Sequence, residues 1–349
     1  VMYTYIITME LQVDLDLLGN VAIGEEIQGL YQEIEEILND REMMAEVDLV
    51  AAEDEELLKS ESPIDNSDSL WAGSPVLENI LTQEKWIEVE DDIFLRILIF
   101  SPEDSKYGNS NPVVMIPGWG SLFEGWKPLI SKWATKRKIF YIETREKKSS
   151  RINRKSRKSD FIMSRHGQDI RTIIQKIDLQ MDEIEWFASS LGSTILIDSF
   201  QKGILSGKSA ILLAPNSDFM FPLWFRIGIN LPIPVFIFKR LVNFISWKVQ
   251  KRTKEPAQKE RYRRNFTALD VEKMLLSARS NIGFALPEDL SEIKVRCAVM
   301  TAYSDTLHDF GKIRIIKDSI PNCELIEVPS NQYAHEAEVL NEIEEFQSK

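Results

Sequence analysis

From about residue 80 onward the chain repeats one theme: a short, unbroken apolar run followed by a segment with helical spacing. The runs are PVVMIPG, KIFYIET, EIEWFA, SAILLAP, VRCAVMTA and CELIEVP. An apolar run of roughly four to eight residues without alternation suits a strand buried on both faces, as parallel strands are when crossover helices cover them. The segments between include FEGWKPLISKWATK, DFIMSRHGQDIRTIIQKI, LGSTILIDSFQKG, FGKIRIIKDSI and EAEVLNEIEEF, each with apolar residues three or four apart. Such alternation predicts an α/β fold with a mostly parallel central sheet and helices on both faces. Ahead of it, WIEVEDDIFLRILIF reads as a hairpin turning at Glu90, Asp91 and Asp92. No internal repeat is present.

At 349 residues and 44% hydrophobic content, the chain can bury one large core and still carry an extension. The net charge of -13 is unevenly spread. Residues 1–80 hold about twenty Asp and Glu against two basic residues, Arg41 and Lys59. Within them GEEIQGLYQEIEEILND predicts an amphipathic helix, with Ile27, Leu30, Tyr31, Ile34, Ile37 and Leu38 on one stripe. The following AEDEELLKSESPIDNSDSLWAGSP reads as a solvated linker outside any core. Residues 1–80 are therefore expected to be an acidic, partly helical extension and 81–349 the main domain. Cys297 and Cys323 lie in apolar runs and read as buried free thiols, which points to a reducing, cytoplasmic setting. VMYTYIITM is short and has no basic residue before it, so no secretion signal is expected.

Between SAILLAP and VRCAVMTA lies an apolar and then basic insertion, about 218–286, including FMFPLWFRIGINLPIPVFIFKRLVNFISWKVQKR. Pro222, Pro232, Pro234 and Arg226 interrupt it, and both ends must return to one sheet, so it is not a transmembrane span. It predicts a helical cap before the last two strands, packed on the core and lining a pocket. A second reading sets its Trp224, Trp247 and phenylalanines against an anionic membrane surface, with Lys239, Arg240, Lys248, Lys251 and Arg252 toward headgroups. The basic loop from Lys147 to Lys158 would join them at the same mouth. In a third reading these cations pair with the acidic extension of the same chain. Nucleic acid is excluded as a partner class: the loop lacks interleaved stacking aromatics, and no finger or helix-turn-helix pattern occurs.

The turn WFASSLGST, residues 186–194, offers three serines. A nucleophile on a tight strand-to-helix bend needs small residues two positions either side, because the bend brings backbones together. Ala188 and Gly192 flank Ser190 in this way, whereas Ser189 has Phe187 and Leu191, and Ser193 has Leu191 and Ile195. A serine hydroxyl also requires a base, a group orienting that base, and oxyanion donors. His335, in PSNQYAHEAEV, follows the last strand and precedes the last helix. Asp305 follows VRCAVMTA, with Asp309 beside it and Asp218 an alternative after the preceding strand. His166 falls on a helix, and His308 follows Asp305 too closely to be its base. Ser190, Asp305 and His335 each sit at the carboxyl end of a strand, where open α/β sheets hold their sites.

In this order of residues the chain resembles the α/β-hydrolase superfamily over about residues 81–349. Ala188 stands where that family's first elbow glycine is usual, and Ala302 where its acid loop carries glycine. IPGWGS resembles the oxyanion loop with Pro117 in place of the commoner histidine, and YIETREKKSS stands where many members show D-x-R-G-x-G-x-S, keeping only Arg145 and Ser149. The resemblance implies a serine hydrolase with Ser190 as nucleophile, His335 as base and Asp305 as its orienting acid. It gives the oxyanion donors as the backbone N–H groups of Trp119 and Leu191. Neither metal nor organic cofactor is expected. The implied substrate is a carboxylic ester or thioester with a hydrophobic acyl part, against which Trp224 and Phe225 of the cap would lie. Peptidase, amidase or carbon–carbon hydrolase chemistry on the same fold, or a non-catalytic scaffold, are the alternatives. Dehalogenase and epoxide hydrolase members resemble the chain too but use Asp at the position of Ser190.

Overall fold

The computed structural model describes residues 29, 32, 34–60, 73–104, 110–219, 229–230, 235–253, 255–302 and 310–349. Strands β1 (Ile80–Glu90) and β2 (Ile93–Pro102) form the expected hairpin, with Asp92 at φ 64° closing its turn. The apolar runs then become β3 (Val113–Ile116), β4 (Ile139–Ile142), β6 (Glu185–Ser189), β7 (Ser209–Leu213), β8 (Arg296–Ala302) and β9 (Glu324–Val328). A two-residue strand β5 (Arg151–Ile152), not legible in the sequence, pairs with β2. The sheet order is β1-β2-β4-β3-β6-β7-β8-β9, antiparallel through β4 and parallel beyond it.

Chain direction across the sheet reverses at β3, which has β4 on one side and β6 on the other. The crevice outside the carboxyl ends of β3 and β6 is thus the topological switch point, the usual ligand position in open α/β sheets. Two apolar layers cover the sheet. One holds α3 (Met163–Lys176) and α4 (Leu191–Gln201), with Ile170, Ile173, Ile195 and Leu196 against Ile97, Val114 and Trp186. The other holds α2 (Lys127–Trp133) and the last helix, α9 (Leu340–Ser348), with Trp126, Leu129, Trp133, Ile343 and Phe346 against Val113, Met115 and Phe187. The remaining helix of the series, α8 (Phe310–Ser319), follows β8 and buries Ile313 and Ile316. Cys297 and Cys323 are buried free thiols, as expected. Burial pushes the Cys323 pKa up to about 12 and that of Cys297 well above the ordinary thiol value.

The insertion between β7 and β8 folds into α5 (Val235–Arg252), α6 (Pro256–Thr267) and α7 (Val271–Asn281). The extension departs from its reading as a linker. Residues 52–60 belong to α1 (Arg41–Ser60), which packs on α5 and α6 with Met44 and Val47 buried. Polar pairs fix its register: Arg240 with Asp48 at 2.7 Å, Lys251 with Glu46 at 2.8 Å, and Gln250 Nε2 donating to Asp54 Oδ2 at 2.9 Å. Acidic composition suggested solvent, but three of these carboxylates face donors on a basic helix, and the methionine and valine between them supply burial. The predicted amphipathic helix is helical at residues 29, 32 and 34–39, and residues 61–72 of the linker lie outside the described residues.

Candidate active site

Ser190 stands alone between β6 and α4, with φ 48° and ψ -114°. That backbone region is costly for a residue with a Cβ, of order 1–3 kcal/mol, and persists only where the surroundings enforce it. The enforcement is visible. Ser190 N–H donates to the Leu213 carbonyl at 2.8 Å, tying the bend to β7. A Cβ on Gly192 would lie 2.3 Å from the Ile116 carbonyl oxygen, so α4 starts against the backbone of β3 and only glycine fits. The other serines have structural partners. Ser193 Oγ donates within a fully buried site to the carbonyls of Ala188 (2.8 Å) and Leu213 (3.0 Å), and Ser189 ends β6, buried.

The loop after β3 lies against this bend. A Cβ on Gly118 would be 3.3 Å from both Ser189 Oγ and Ser190 Cβ. Gly118 O accepts the Ser121 N–H at 3.1 Å, and Gly120 takes φ 63°. Among the described residues, the Trp119 N–H donates to no backbone carbonyl. Leu191 opens α4, where the first N–H groups have no partner within the helix. Leu191 thus follows Ser190 directly, and Trp119 follows the glycine packed against it. Asn216, just after β7, donates from Nδ2 to Ser190 Oγ at 3.3 Å. Nothing in its sequence context marked it, because only the packing of β7 beside β6 brings it there.

His335 ends a single 3-10 turn (Tyr333–His335) after β9, stacked on Trp126 with ring centroids 4.0 Å apart. Trp126 meets Phe187 of β6 edge-on and donates from Nε1 to Ser121 Oγ at 3.0 Å, so the histidine rests on a ring tied to the loop after β3. His335 Nδ1 lies 2.8 Å from the Asn331 carbonyl, an acceptor only, which places the proton on Nδ1 and leaves Nε2 as the basic nitrogen. Asp305, Asp309 and His308 lie outside the described residues. The alternative acid, Asp218, pairs with Lys312 at 2.8 Å and accepts from Ser217 Oγ at 2.7 Å.

The segment REKKSS is where the charge reading meets its largest correction. Arg145 and Lys147 are not solvated; both side chains are fully buried. Arg145 donates from Nε to Asp169 at 2.5 Å, Glu143 pairs with Arg96 at 3.1 Å, and Ser149 Oγ donates to Glu143. Glu146 accepts from Thr144 Oγ1 at 2.6 Å and from Lys147 Nζ at 3.3 Å. His166 of α3 is buried as well, and burial, opposed by Glu146, brings its pKa down to about 4. Where glycines are usual in this loop, buried charges pair with one another instead, although Arg145 Nη1 and Glu146 Oε2 have no hydrogen-bond partner among the described residues.

The inserted helices lie against the same loops. Leu122 N–H donates to Asn265 Oδ1 at 3.2 Å, Trp119 Nε1 to Ser277 Oγ at 3.3 Å, and Lys273 Nζ to the Ser150 carbonyl at 2.8 Å. Arg261 reaches from α6 to Asn331 Oδ1 at 2.5 Å, beside the histidine loop. Trp224 and Phe225 lie outside the described residues. No described helix is long and apolar enough to cross a membrane.

No protein-family model matches the chain, and no curated protein sequence matches it. Solved structures do. A thermophilic esterase from Thermogutta terrifontis, in a malate-bound structure, superposes with a TM-score of 0.62 at 14% identity, over 76% of this chain and 98% of its own. The enol-lactonase from Burkholderia xenovorans LB400 gives 0.58 at 14% identity, over 76% and 97%. A hydrolase from Pseudomonas aeruginosa PA01 gives 0.57 at 12% identity, over 76% and 96%. With its sheet order, its bend at Ser190 and this likeness, the chain has the α/β-hydrolase fold.

Proposed function

We propose that the protein is a serine hydrolase that cleaves a carboxylic ester or thioester with a hydrophobic acyl part. The observation that carries this reading is the strained backbone of Ser190, φ 48° and ψ -114°, at the switch point of the sheet. Strain of this kind at a non-glycine residue, with two backbone N–H groups beside it, has a use when the hydroxyl attacks a carbonyl. In the proposed reaction Ser190 Oγ attacks, and His335 Nε2 takes its proton and returns it to the leaving group. The N–H groups of Trp119 and Leu191 hold the oxyanion, and water activated by His335 then releases the acyl group. The Asn331 carbonyl on Nδ1 supports the tautomer this role needs. Asp305 is proposed, from chain order, to stabilise the imidazolium. The neighbours named as an esterase and a hydrolase favour hydrolysis of an ester, and carbon–carbon hydrolase chemistry stays as the alternative on the same fold.

The inserted helices act as a cap that seats the acyl part, the role proposed for Trp224 and Phe225. Peripheral contact with an anionic membrane goes with this reading through exposed Val235, Phe236 and Ile245 on the helix that carries Lys239 and Lys248. Arg240 and Lys251 of that helix are already paired with the extension. A cytoplasmic location fits the two free thiols. The test is labelling with a fluorophosphonate probe, beside hydrolysis of acyl esters and acyl-CoA thioesters of graded length. Labelling and turnover lost in S190A support the enzyme. A native protein that neither labels nor turns over any of them is a scaffold.

A further inference from the structure

Lys147 is buried to 1% exposure, and its Nζ donates to the Gly118 carbonyl at 2.5 Å. That carbonyl already accepts the Ser121 N–H, so it needs no second donor to be satisfied. Burying an ammonium group costs several kcal/mol even when it is paired, and an apolar side chain would avoid that cost. Glu146, equally buried, is the carboxylate that holds it. The charged pair is therefore directed at one peptide unit, that joining Gly118 to Trp119.

The geometry of that unit gives the pair a consequence. The peptide is planar and trans, so the Gly118 C=O and the Trp119 N–H point in opposite directions. A cation held on the carbonyl turns the N–H to the other side and polarises the unit, which makes the N–H a stronger donor. A Cβ on Gly118 would touch Ser190 Cβ, so this peptide lies on the nucleophile. Lys147 in turn is held in place by its neighbours: Lys273 of α7 donates to the carbonyls of Lys147 and Ser150, at 3.2 and 2.8 Å.

We propose that Lys147 is a positioning residue for the oxyanion hole, its ammonium clamping the Gly118 carbonyl so that the Trp119 N–H faces the oxygen that gains charge when Ser190 attacks. The inference rests on the serine hydrolase reading. Removing one oxyanion donor outright lowers kcat by about 10²–10³-fold, and loss of its alignment in K147M lowers kcat by about 10²-fold, with KM changed by less than about threefold. Phosphonylation by the probe slows in parallel, because its phosphoryl oxygen uses the same hole. A role confined to stability would move the denaturation midpoint and leave kcat per folded molecule unchanged. If K147M alone does not fold, E146Q/K147M removes both charges together and serves for the same measurement. The wild-type protein gives a check that needs no variant: the Trp119 amide proton should move downfield on phosphonylation, and a stationary resonance overturns the proposal. Turnover through Ser190 with kcat retained in both variants also overturns it while leaving the hydrolase reading intact. A wild-type protein without Ser190-dependent turnover or labelling overturns both.

Discussion

Replacing Gly192 with alanine puts a methyl group where the structure has the backbone of β3. The new Cβ would lie 2.3 Å from the Ile116 oxygen, 2.9 Å from its carbonyl carbon and 3.0 Å from its Cγ2. Backbone in a central parallel strand cannot rotate aside, so the start of α4 must retreat by about 1 Å to reach ordinary contact. Overpacking of this kind costs about 1–3 kcal/mol. Against it stands about 0.4–1 kcal/mol gained when alanine replaces glycine in a helix, through the unfolded chain. The net expectation for G192A is a loss of about 1.3 kcal/mol, the centre of the first range less that of the second, read as a lower urea midpoint at unchanged m-value. The same retreat displaces Ser190, and a shift of this size costs on the order of 10²-fold in turnover. G203A is the comparison: its Cβ meets open space, but φ 63° is unfavourable for alanine, so it should lose about 1 kcal/mol and no activity. If G192A is as stable as the parent, or more so, α4 does not rest on β3 as described, and the steric argument for Ser190 as nucleophile fails.

Three further outcomes are expected. His166, neutral in the fold with its pKa brought to about 4 and near 6.5 when unfolded, stabilises fully above pH 6.5. That contribution is lost as pH falls toward 4, by about 3 kcal/mol in all; H166L should flatten the pH dependence of the urea midpoint in this window, and an unchanged slope would show the imidazole to be solvated. M44A should weaken docking of α1 on the inserted helices by about 2–4 kcal/mol, seen as faster amide exchange and proteolysis across residues 41–60; protection equal to the parent would mean that α1 is held by its surface ion pairs alone. Iodoacetamide at pH 8 should leave both cysteines unmodified in the native protein and alkylate two in urea, whereas native alkylation at either would contradict their burial.

Much of the fold was open to reading because it depends on local pattern. The runs VVMI, IFYI and SAILL are continuous and apolar, and each became a strand buried on both faces. The elbow was legible for a similar reason: small residues at 188 and 192 are a steric demand made by neighbours two positions away in the chain. The charged segments were not legible. ETREKKSS reads as the start of a basic loop at the pocket mouth because charge normally seeks water or an anion, yet its partners Asp169, Arg96 and Gly118 are far away in sequence. The AEDEELLKS stretch reads as linker for the same reason, since the partners of its Asp54, Gln250 and Arg263, lie about two hundred residues on. Asn216 and Asn331, now beside Ser190 and His335, carry no local signal at all.

Sequence alone determined the class of fold, the order of strands and helices after residue 80, and Ser190 as the serine with room for a bend. These follow from periodicity and side-chain size, which act over a few residues. Tertiary structure decided where the charges went. It buried Lys147 on the Gly118 carbonyl, laid the acidic helix along the basic insertion and set His335 on Trp126 with its proton on Nδ1. A charge is stable in water or against a partner, and only the folded chain brings a distant partner within reach.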